Sequence, residues 1–224
     1  MKEILYQYQE KFYDIFPFSF KNKKVLELDL SVSNSEVTFE DIANSKKLAK
    51  YISLKLEQAN CDIAVGGYFE DRLIYKKSEH FGGNNLNSRT IHLGTDVWCS
   101  AGTPIFAPCK SKIHSFRDNN NFGDYGPTII LEHELSGKTF FSLYGHLSRK
   151  SLENLQIGQS FDAGQKFAEI GNENENGNWP PHLHFQIITE MQNYFGDFPG
   201  VCSKLEKDKY QKICLLPNLI LNYK

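Results

Sequence analysis

No stretch of this 224-residue chain approaches the run of about 18 apolar residues that a membrane-spanning helix needs. The first twenty residues, MKEILYQYQEKFYDIFPFSF, also lack the continuous apolar core of an export signal, because Glu3, Gln7, Gln9, Glu10 and Lys11 interrupt it. A cytoplasmic protein without a membrane span is therefore expected. Cysteine is scarce: Cys61, Cys99, Cys109, Cys202 and Cys214 are odd in number and irregular in spacing. They form no CxxC pair, which argues against a disulfide framework and a thiolate metal site. No dense basic run occurs, and 25 Lys and Arg stand against 27 Asp and Glu, a formal charge of −2. That balance excludes a nucleic-acid partner bound mainly through phosphate charge. The helical zinc motif HExxH is missing too, since Gly137 stands where His133-Glu134 would need its second histidine. There is no internal repeat, and nothing in the chain specifies an oligomeric state.

What is present is the composition of a folded chain, 40% hydrophobic and 23% charged, long enough for one full core. Residues 1–16 carry a short helical pattern that Pro17 ends. Residues 25–31 and 62–68 read as short strands, and Thr38 with Asp41 opens a helix through Gln58. From Thr90 onward the helical period gives way to short β runs separated by Gly, Pro, Asn and Asp. Residues 128–133 and 138–144 form a hairpin whose turn ends in Gly137, and residues 157–159, 167–170 and 182–188 supply further strands. The apolar run 215–221 is expected to pack back on the core. The fold expected is mainly β: an antiparallel, sandwich- or barrel-like β-rich domain over residues 78–224, preceded by a small α/β extension over residues 1–77.

Four of the seven histidines fall in tight local contexts: His92-Leu-Gly-Thr-Asp96, Tyr144-Gly-His146-Leu-Ser148 and His182-Leu-His184-Phe185. In a strand, His182 and His184 project from the same face. Gly94 leaves room for the backbone to turn His92 and Asp96 toward one point. His92, Asp96 and one histidine of the pair then make three nitrogen and oxygen ligands with a fourth position open, the pattern of a catalytic zinc. Hydrolysis is the reaction such a site favours, with His146 and His182 as candidate bases. His80, His114 and His133 stand outside these contexts and are read as structural. Tyr144 is read as a packed aromatic as readily as a substrate contact, Arg89 as an ion-pair partner ahead of a carboxylate-positioning group, and Trp179 as a groove rim or loop anchor. Glu173 to Glu175 reads as a solvated charge run.

These three motifs, in this order, resemble those of the lysostaphin-type zinc endopeptidases, over linking strands that run to about Ile188. The resemblance implies a β domain with one zinc per chain in an open groove. It makes His92, Asp96 and His184 the ligands, with His146 and His182 flanking the attacking water. It implies a peptide or peptidoglycan fragment as the substrate. The loop Gly171-Asn-Glu-Asn-Glu-Asn-Gly-Asn-Trp-Pro-Pro181 departs from the small Gly-, Ser- and Thr-rich loop of that family. Two other readings stand beside peptidoglycan hydrolysis: a zinc-containing peptide-binding module with weak turnover, and an intracellular peptidase or amidase on a non-wall substrate. Residues 81–88 are expected to overhang the groove.

Overall fold

The computed structural model describes residues 1–76 and 87–223. The N-terminal part holds helix α1 (Lys2–Tyr8), strand β1 (Val25–Glu27), helices α2 (Phe39–Ala43) and α3 (Ser45–Ala59), strand β2 (Ile63–Gly66) and the short helix α4 (Leu73–Lys76). Next come β3 (Arg89–His92), β4 (Thr95–Trp98), β5 (Pro104–Phe106), β6 (Ser111–Asn119), β7 (Gly126–Leu135) and β8 (Lys138–Gly145). The chain continues through β9 (Ser160–Phe161), β10 (Lys166–Glu169), β11 (His182–Ile188) and β12 (Val201–Ser203). It closes with α5 (Lys207–Ile213), β13 (Cys214–Leu215) and α6 (Asn218–Leu221).

Among the described residues the main sheet runs β1-β2-β4-β11-β8-β7-β6-β9, with β13 also paired to β11 and two-stranded ribbons β10-β5 and β12-β3 beside it. The mainly-β class expected from sequence holds. The sheet is open rather than a closed barrel, and it is mixed, because β1 pairs parallel with β2. Strand β2 in turn pairs antiparallel with β4, so the N-terminal part extends the sheet that carries the histidines.

Both faces of the sheet are covered, which sets the alternation of its central strands. Leu183, Phe185 and Ile187 of β11 lie in one core with Ile129, Leu131, Phe140 and Tyr144. Leu5, Phe16 and Phe20 from the N-terminus and Leu219, Ile220 and Leu221 from the tail close that core, as expected for the apolar run 215–221. Successive side chains point to opposite faces, so His182, His184 and Gln186 turn the other way. The hairpin turn is a two-residue loop in which Ser136 and Gly137 both take positive φ, 51° and 71°, matching the twist of the paired strands.

Several boundaries differ from the sequence reading. The pattern over 1–16 is helical only as far as Lys11. The helix over 39–58 is two helices: Thr38 and Asp41 form the expected capping box, but Asn44 leaves the helical region and its side chain caps α3 by accepting from Lys47 N–H. Residues 157–159 are a turn that leaves Ile157 exposed, and the strand starts at Ser160. The expected overhang lies outside the described residues except for Asn87 and Ser88.

Candidate metal centre

Strand register brings the motifs together. His184 of β11 sits opposite Asp96 on β4 and opposite Gly145 on β8. Directly opposed residues share a face of the sheet, so Asp96 and His184 converge while Gly145 leaves a gap that the Tyr125 ring fills. His92 ends β3, and the turn at Leu93 and Gly94 lets its ring face back toward β4. All three side chains are buried, and one ligand atom from each lies within 4.8 Å of the other two. His92 Nε2 is 2.9 Å from His184 Nδ1 and 3.4 Å from Asp96 Oδ1, and His184 Nδ1 is 3.1 Å from Asp96 Oδ1.

The hydrogen bonds behind these atoms fix what they offer. His92 Nδ1 lies 2.9 Å from the Gly67 carbonyl, which can only accept, so Nδ1 carries the proton and Nε2 the lone pair. The Gln186 amide nitrogen donates to the Pro199 carbonyl and the Cys214 sulfur, which turns its Oε1 toward His184 Nε2 at 3.0 Å. His184 therefore donates from Nε2 and holds its lone pair on Nδ1. Burial, then the Arg72 guanidinium, pushes His92 down to about 4, so its imidazole is neutral at physiological pH. Burial works against ionisation of Asp96, but Arg72, with the His92 and His182 rings, outweighs it and holds the carboxyl well below the usual range. Two imidazole lone pairs and a carboxylate oxygen thus meet with no donor among them. That set fits a divalent cation of the zinc type.

His146 and His182 stand beside this set, their ring centroids 4.2 Å apart. His146 Nδ1 donates to the Asn176 carbonyl at 2.8 Å and His182 Nδ1 to the Pro180 carbonyl at 2.7 Å, which leaves each Nε2 as an acceptor. Burial lowers both, His146 well below the ordinary histidine value, with the neighbouring imidazoles adding to its shift. His146 holds φ at 61°, a left-handed backbone that is uncommon for a residue with a side chain and that re-aims its ring at the end of β8.

All five residues selected from sequence therefore meet in one pocket of about 360 Å³. Trp179 lines it as a rim and is also anchored, since Asn176 Oδ1 accepts from Trp179 N–H and Asn176 Nδ2 donates to the Trp179 carbonyl. Arg89 lines the pocket as well. Tyr144 is a fully buried core residue whose hydroxyl bonds Ser142. His114 packs on Phe141 and His133 on Phe140, both away from the centre, while His80 lies outside the described residues. Glu175 accepts from Arg149 N–H and Asn172 N–H, and Glu173 from the Ser45 hydroxyl, so the acidic loop is tied down rather than merely solvated. Sequence reasoning missed Arg72, Gln186, Asn176 and Tyr125. Only Gln186 carried a signal, as the next residue on the His182–His184 face of the strand.

An open groove over a buried site of two imidazoles and one carboxylate defines a metal-binding β protein. Residues 90–195 match the model of peptidase family M23. Among solved structures, the chain is similar to a zinc-containing peptidase from Vibrio cholerae at 27% identity, over 44% of this chain and 27% of that one, with a TM-score of 0.36. It is similar to the catalytic domain of the antimicrobial peptidase lysostaphin from Staphylococcus simulans at 27% identity, over 54% and 80% of the two chains, with a TM-score of 0.38. A third similar structure is the catalytic domain of the prophage-encoded M23 protein EnpA from Enterococcus faecalis, at 21% identity, over 49% and 79%, with a TM-score of 0.37. The chain spans about a quarter of the length of the Vibrio protein. No curated protein gives a significant match.

Proposed function

We propose that the chain is a zinc-dependent metallopeptidase that cleaves peptide bonds in peptidoglycan-type peptides, with one zinc held by His92, Asp96 and His184. The observation that carries this reading is the pairing of three converging ligand atoms, from His92, Asp96 and His184, with two histidines whose Nε2 atoms are both acceptors. Zinc there supplies Lewis-acid polarisation of the scissile carbonyl and lowers the pKa of water at the site. His146 and His182, anchored through Nδ1 on backbone carbonyls, accept the proton of the attacking water at Nε2 and return it to the leaving amine. Trp179 and Trp98 wall the groove and limit bulk water around the reacting groups.

General acid–base assistance contributes about 10²–10⁴-fold. His146→Ala and His182→Ala are each expected to retain zinc and lose hydrolysis of a cross-link peptide by that factor. His184→Ala should lose zinc and activity together. Wild type that binds zinc and peptide without cleaving would instead make this a peptide-binding module, and cleavage confined to other amides would place the substrate outside the wall. We further propose a cytoplasmic location, supported by five cysteines that are all free thiols. Fractionation that recovers the native chain mainly outside the cytoplasm would contradict it.

A further inference from the structure

The matched family region begins at residue 90, yet the segment 67–72 before it grips two of the three proposed ligands. It runs alongside β3: Phe69 N–H donates to the His92 carbonyl, His92 N–H to the Glu70 carbonyl and Arg72 N–H to the Thr90 carbonyl. From this ladder the Gly67 carbonyl fixes the His92 tautomer, and the Arg72 side chain enters the centre. Arg72 Nη1 donates to Asp96 Oδ2 at 2.6 Å, and Arg72 Nε donates to Glu70 Oε2 at 2.9 Å. Glu70 Oε1 is itself fixed, accepting from Leu30 N–H at 3.0 Å. The Arg72 and Asp96 side chains are only 6% and 2% exposed, so water does not compete for this pair.

One oxygen of Asp96 is thereby committed to a guanidinium, while the other faces His92 and His184. A carboxylate free at both oxygens can turn to chelate a cation, which raises its coordination number and closes the open position a hydrolytic site needs. We infer that Arg72, held by Glu70, is a positioning residue of the metal centre that makes Asp96 a one-oxygen ligand. The inference rests on the zinc reading above and adds to it that residues before the family match complete the site. Partners of metal ligands in this position typically contribute 10–100-fold in metal affinity.

The test uses the full chain with zinc and cobalt as probes. Zinc affinity is read by competition with a chromogenic chelator, and the visible spectrum of the cobalt form reports coordination number. Arg72→Gln is expected to bind zinc about 10–100-fold more weakly and to show a weaker cobalt band as both Asp96 oxygens engage. Arg72→Lys, whose ammonium can still hold Oδ2, is expected to restore most of the affinity and the band. Wild-type affinity and spectrum in Arg72→Gln would overturn the inference. If Arg72→Gln does not fold, Glu70→Gln decides: a weakened cobalt band supports the clamp, and an unchanged one overturns it. Failure of wild type to bind zinc would instead overturn the zinc reading itself.

Discussion

A methyl group at Gly94 has nowhere to go, because its Cβ would lie 2.6 Å from His184 Nε2 and 2.7 Å from the Phe185 carbonyl. Gly94→Ala is therefore expected to push the His184 ring off its hydrogen bond to Gln186, lower zinc affinity in a chelator competition and cost about 1–3 kcal/mol in denaturant unfolding. Away from the centre, His133 is sealed between Ser142 and Cys109 and stacked on Phe140, and burial lowers it to about 3. With the folded value below the unfolded 6.5, the unfolded chain protonates first. Stability from keeping this ring neutral is complete above about pH 6.5 and declines as pH falls toward 3. In zinc-free protein, the stability deficit of His133→Gln should shrink by roughly 2 kcal/mol between pH 7 and pH 5 in urea titrations. A deficit that does not change with pH would show that His133 protonates alike in both states.

At the scale of elements, the loop between Gly171 and Pro181 acts as a bracket for the two proposed proton carriers. Its Asn176 is fully buried, holds both sides of the Trp179 backbone, and offers its own carbonyl to His146. Asn176→Ala should leave zinc content unchanged and reduce kcat by about 10–100-fold, the scale at which lost support for an active group is felt. An unchanged kcat would mean that the backbone alone sets the loop. This loop also marks how far the sequence could be read. The alternation of β11 placed His182 and His184 on one face, and the four-residue spacing of His92 and Asp96 with its intervening glycine placed that pair, because both patterns are local. Asn176 and Tyr125 act through contacts across the fold, and no local period encodes those. The break between α2 and α3 is hidden in the sequence because the apolar stripe resumes beyond Asn44, whose extended backbone and side-chain cap on Lys47 N–H show only in the fold.

For the whole molecule, the expected division at residue 77 lies shortly before the change of periodicity at Thr90, and periodicity says nothing about which strands pair across it. Strand β2 pairs with β4 from Ala64 to Gly66 opposite Trp98 to Asp96. Leu5, Phe16 and Phe20 share a core with Phe185. The N-terminal residues are thus built into the sheet that carries the site, and the chain is expected to unfold in one transition seen alike by far-UV circular dichroism and tryptophan fluorescence. A separate early transition would contradict this coupling.

One acceptor atom from each of His92, Asp96 and His184 converges within 4.8 Å of the other two. Elemental analysis of the purified chain tests this most directly: one zinc per chain is expected in wild type and none in Asp96→Ala. A wild-type chain free of zinc after loading, or an Asp96→Ala chain with its zinc intact, would contradict the assignment.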